Sequence, residues 1–71
     1  MYKPSRDTAI RCCAGLKLSY EEASELLKLA GYALSPADSR DLVLRYCLEN
    51  GIWDIDLING LLGAWGEKEL R

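Results

Sequence analysis

The two halves of this 71-residue chain repeat each other, and that repetition limits the folds open to it. Arg6-Asp7 matches Arg40-Asp41, Ile10 matches Leu44, Arg11 matches Arg45 and Cys13 matches Cys47, all at one offset. Further on, Leu26-Leu27 matches Leu61-Leu62 and Gly31 matches Gly66 at an offset one residue larger, so the added residue falls where a loop can absorb it. Two short units of this kind cannot bury their apolar stripes separately. They must pack on one another about a rough twofold axis.

Each unit reads as a helix, a loop and a helix, because polar starters and glycine stoppers bracket apolar positions spaced at three and four residues. Ser5 caps a first helix from about Arg6 to Ala14, with Ile10 and Cys13 on one stripe and Gly15 as the left-handed residue that ends it. Ser19 and Glu22 form a capping box for a second helix, Leu18 and Ala23 staple across it, and its core stripe is Ala23, Leu26, Leu27 and Ala30. Gly31 stops that helix, with Tyr32 folding back on Leu27. Ser35-Pro36-Ala37-Asp38 opens the third and longest helix, with serine as cap and proline at the first helical position. Its Leu42-Val43-Leu44 and Tyr46-Cys47-Leu48 runs are apolar over much of the circumference, which suits a central helix packed on several neighbours. Asn50-Gly51 ends it. Asp54 then caps a fourth helix carrying Ile55, Ile58, Leu62 and Trp65, closed by Gly66. Gly60 and Gly63 inside it each cost about 1 kcal/mol relative to alanine, and are expected where another helix backbone comes close. The expectation is an all-α, compact four-helix bundle built from two similar helix-loop-helix hairpins, one domain over residues 1–71 with repeat halves at about 5–32 and 35–66. A period of about 34 residues also fits tetratricopeptide repeats, but their Trp, Leu-Gly, Tyr and late Pro signature is missing.

Composition narrows the function classes. A chain this short buries about three-fifths of its unfolded surface, so its own core supplies a few kcal/mol and self-association that covers more apolar surface would help. Nine Lys+Arg against eleven Asp+Glu give a net charge of −2, opposite to the basic balance that binding a phosphate backbone usually requires. There is no histidine, which removes the commonest general base and metal ligand. Cys12, Cys13 and Cys47 form no metal or redox motif and read as reduced core residues, although the matched Cys13 and Cys47 could bond in an oxidised sample. No apolar run approaches the ~20 residues of a membrane span, and the start lacks the apolar centre of a signal peptide, so a cytoplasmic setting is expected.

Catalysis is not expected, and neither a cofactor nor a metal. Glu21, Glu22, Asp38, Asp54 and Asp56 lie in first helical turns, where they serve caps and dipoles, and Ser5, Ser19 and Ser35 are caps before they are nucleophiles. What remains is binding. Trp53, Ile55, Ile58, Leu62 and Trp65 of the second hairpin are the candidate interaction residues for a protein partner or a second copy, since exposed aromatics anchor interfaces. Lys3, Arg6, Arg11 and Lys17 are the alternative, a local basic patch for nucleic acid, although Arg6 and Arg40 also suit bridging acids of the facing hairpin. The second and third helices do not fit the helix-turn-helix template, because Ala23 is followed four residues later by Leu27 rather than glycine. A death-fold-like adaptor is a further alternative, and would need six helices.

Pro4-Ser5-Arg6-Asp7 leading through Ile10 to Gly15-Leu16, then Leu18 to Ala23 and Glu25 to Tyr32, resembles a stretch of bacterial regulators of the phage-repressor-like (XRE) helix-turn-helix family. The resemblance continues through Arg40-Asp41, Asn50-Gly51 and Ile58-Asn59 to Leu62. It implies that the first half corresponds to the closing helices of the repressor domain and the second to a helical extension. The DNA-reading helices of such regulators lie upstream of the Pro-Ser-Arg-Asp segment, so no DNA-contacting residue carries over. What the resemblance implies is an accessory module of transcription regulation that dimerises or docks on protein.

Overall fold

The computed structural model describes residues 5–70 as four α-helices, with no strand among the described residues. They are α1 (Arg6–Gly15), α2 (Tyr20–Leu29), α3 (Ser39–Glu49) and α4 (Ile55–Ala64). α1 packs on α2 and α3 on α4, and α2 and α3 join the two hairpins. One core fills the space between them, to which matched residues of both halves contribute: Ile10 and Leu44, Cys13 and Cys47, Ala23 and Ile58, and Leu27 and Leu62 are all buried. The radius of gyration, 11.1 Å, is that of a single folded unit of this length rather than of two splayed hairpins.

The caps explain where the helices begin. Ser5 accepts from the Thr8 amide, and the Ser19–Glu22 box closes in both directions at 3.0 and 3.2 Å. Asp54 accepts from the Asp56 and Leu57 amides. The third start differs from expectation. Asp38, not Ser35, is the cap and accepts from the Arg40 and Asp41 amides, so the helix begins at Ser39. Ser35 instead begins a tight turn: its hydroxyl accepts from the Ala37 amide and its own amide donates to Asp41 Oδ2 at 2.7 Å.

The helix ends repeat as pairs. Gly31 and Gly66, both left-handed, close α2 and α4, and the following amides of Tyr32 and Glu67 reach back to the Leu27 and Leu62 carbonyls at 2.7 and 2.8 Å. α1 and α3 end alike, but Gly15 stays helical and the left-handed residue is Lys17 (φ 54°), matched by Gly51 (φ 68°). Leu18 and Ile52 amides then donate to the Cys13 and Cys47 carbonyls. Register therefore holds through Ile52, and Trp53 is the added residue. Its Nε1 donates to the Leu18 carbonyl at 2.9 Å, so the extra residue ties one loop to the other.

The opposite end of the bundle is held by an exchange of ion pairs. The Arg6 guanidinium donates to Asp41, while Arg40 donates to Asp7 at 3.0 and 3.2 Å. Arg6 and Arg40 thus take the bridging role set out above. Arg40 also holds the tail, donating to the Lys68 and Glu69 carbonyls, and Leu70 is buried in the core with its amide on Asn59 Oδ1. Beside the core, the Arg45 guanidinium lies over the Tyr20 ring at 4.7 Å, joining α3 to α2.

Two further expectations change. Cys12 is exposed and only Cys13 and Cys47 belong to the core; all three are free thiols. α3 is apolar around much of its girth not because neighbours surround it but because Leu42 and Tyr46 face outward.

Asp41 is 3% exposed, so removing its guanidinium partner strands a buried carboxylate. Arg6→Ala is expected to lower stability by about 3 kcal/mol, and Arg40→Ala by less because Asp7 is nearer to water; chemical denaturation of the two variants checks the order. Burial pushes the Cys13 thiol up from its ordinary 9.0, with Cys12 adding to it, and burial does the same to Cys47. The folded chain then keeps protons that the unfolded chain has released, so this contribution is intact below pH 9.0 and is lost as pH climbs through the raised values. Denaturation midpoints of the wild type are expected to fall more steeply above that pH than those of a Cys13→Ala/Cys47→Ala variant.

Candidate functional site

The surface that the core leaves over is uneven. On α4, Leu57, Gly60, Leu61, Ala64 and the following Trp65 recur at spacings of three, one, three and one, which places them on one stripe away from buried Ile58 and Leu62. On α3, Leu42 and Tyr46 stand one helical turn apart. Between the two helices lies a groove of about 440 Å³, floored by buried Val43 and lined by Leu42, Tyr46, Leu61, Trp65 and the Ser39 side. Among the described residues no charged side chain lines it. Trp65 is 69% exposed, Leu57 61%, Tyr46 55% and Leu42 47%. At roughly 150–250 Å² per aromatic and somewhat less per leucine, these four leave on the order of 450 Å² of apolar surface in water, within the range of the largest and often functional patch on a monomer.

The first hairpin supplies an internal control. It builds the same core and the same helix ends, yet at the matched outer positions it carries Thr8 for Leu42, Cys12 for Tyr46, Glu22 for Leu57, Glu25 for Gly60 and Lys28 for Gly63. The fold therefore has no need of an apolar surface there. Gly60 and Gly63 depart from expectation: a Cβ added at either meets nothing within 4 Å outside its own helix among the described residues, so no other helix of those residues approaches them.

Of the interaction residues expected from sequence, only Trp65 stands on this face. Ile58 and Leu62 point into the core and are out of a partner's reach, and Trp53 and Ile55 are half-buried against it, Trp53 holding Leu18. Leu42, Tyr46, Leu57 and Leu61 were the residues missed. In the alternative basic set, Lys3 lies outside the described residues, as does Tyr2. Arg6 is committed to Asp41, and Arg11 and Lys17 are exposed. No three cysteines or acids converge as metal ligands among the described residues, and no helix there is long and apolar enough to cross a membrane.

No family model, curated protein or solved structure matches the chain.

The thiols report on this division between core and surface. One thiol, Cys12, is expected to react with a maleimide in the folded protein, and Cys13 and Cys47 only after denaturant, which mass spectrometry of the labelled chain would read directly.

Proposed function

We propose that the chain is a non-enzymatic helical interaction module that docks on protein through the outer face of α3 and α4. The observation that carries this reading is the contrast between the halves: one fold, two copies, and Leu42, Tyr46, Leu57 and Gly60 on the outer face of the second where the first carries Thr8, Cys12, Glu22 and Glu25. An exposed apolar groove between two helices, rimmed by aromatics, is the usual seat of a partner helix. The carboxylates that a hydrolytic mechanism would need have other work. Glu22, Asp38 and Asp54 hold caps, and Asp7 and Asp41 hold the arginines. Binding of a nucleic-acid backbone is less well supported, because Arg6 is taken up by Asp41 and the chain carries a net charge of −2.

The resemblance to the region beyond the DNA-reading helices of XRE-type regulators gives the proposal its setting, a bacterial, cytoplasmic regulatory protein in which such a module dimerises or recruits. The test uses the internal control. A photo-reactive phenylalanine analogue in place of Tyr46 is expected to give a discrete cross-linked adduct in cells. The same analogue in place of Cys12, its matched position, is expected to give none. Equal adducts from both positions, or none from either, would remove the proposal.

A further inference from the structure

We infer that the occupant of the α3–α4 face is a second copy of this chain, seated antiparallel along α4 about a twofold axis near Leu61. The inference rests on the docking reading above and deepens it.

The first argument is area. One side of a standard interface gives up about 800 Å², of which somewhat over half, about 450 Å², is non-polar. The exposed Leu42, Tyr46, Leu57 and Trp65 already hold an apolar area of that order. The second argument is self-complementarity. Leu57, Leu61 and Trp65 form a row at equal spacing, each one turn from the next, so the row has the same spacing and apolar character read from either end about Leu61. Laid antiparallel on itself, it sets Leu57 of one copy against Trp65 of the other, and each residue meets an apolar mate, as an isologous interface requires. The third is access. Gly60, on this row's side of α4, has no Cβ, and outside its own helix no atom of the described residues lies within 4 Å of where one would be, so a second α4 can approach to the short end of the 8–10 Å range of helix packing distances.

The experiment is the mass of the purified protein in solution from micromolar to millimolar concentration, by sedimentation. The expected result is a concentration-dependent rise from 7.9 kDa toward twice that value. Gly60→Glu gives α4 the residue that α2 already carries at the matched position Glu25, in a place where a Cβ meets nothing, so it folds; at the axis it sets two carboxylates together. It is expected to raise the dissociation constant at least tenfold, while Glu25→Lys on the first hairpin leaves it unchanged. A strict monomer over the whole range, with an intact helical spectrum, overturns the inference. So does a dimer indifferent to Gly60→Glu. If the wild type is monomeric and the Tyr46 analogue still gives its discrete adduct, the second copy is excluded and docking on a foreign protein stands; if no adduct forms either, both fail.

Discussion

Neither arginine of the two Arg-Asp pairs can use the acid next to it. Adjacent residues on a helix point about 100° apart, so Arg6 and Asp7 face different directions, and so do Arg40 and Asp41. The partner each needs comes from the other half: Arg6 takes Asp41 and Arg40 takes Asp7. This exchange makes the hairpins mutually dependent. A hairpin alone would lose the ion pair that its arginine makes at the start of its first helix. Partly buried ion pairs contribute little net stability over apolar substitutes, but they penalise wrong alignments, and here they set the two first helices side by side at one end of the bundle. Trp53 does the same at the other end through the Leu18 carbonyl. Between these two clamps the core has one way to close.

The helix starts and the pairing of halves were legible in the sequence because they depend on local chemistry. Ser5, Asp54 and the Ser19–Glu22 box act within one turn of themselves, and the glycines at 31, 51 and 66 must be glycine-like to turn left-handed. Where two local solutions competed, sequence alone chose wrongly. Ser35-Pro36 and Asp38 are both good starts, and what decides between them is Asp41, which draws the Ser35 amide into a turn and leaves Asp38 the helix amides. Gly15 and Lys17 were a similar contest, decided by the loop register that Gly51 shares. The buried Leu70 had no local signal, since the tail is held by Arg40 and Asn59 from elsewhere in the fold.

The candidate face was half legible. Trp65 is marked as an aromatic at a helix end and does lie on the face, but Ile58 and Leu62, apolar at the same spacing, are core, and Leu42 and Tyr46, in the apolar runs of α3, face water. An apolar helix with two apolar sides does not say which side is turned inward. A signal that separates some of them is present: positions where an apolar residue of one half faces a polar or small one of the other, Leu57 against Glu22, Leu42 against Thr8 and Tyr46 against Cys12, lie on the surface.

The glycines of α4 carry the same logic into energetics. Each costs its helix about 1 kcal/mol relative to alanine, in a chain whose core supplies only a few kcal/mol of net stability. Outside α4 no atom of the described residues lies within 4 Å of where a Cβ would stand at Gly60 or Gly63, so no packing against another element offsets that cost. Leu57 and Trp65, on the stripe of Gly60, are likewise in water for most of their surface. Each of these features is unfavourable to the isolated chain, and the matched positions of α2 show that the fold closes without them. They become favourable together only if a flat apolar surface comes within helix-packing distance of α4, covering the leucine and the tryptophan and using the space the glycines leave. The energetics of the single chain and the divergence of its two halves therefore point to one place on the molecule, the α3–α4 face proposed above for docking.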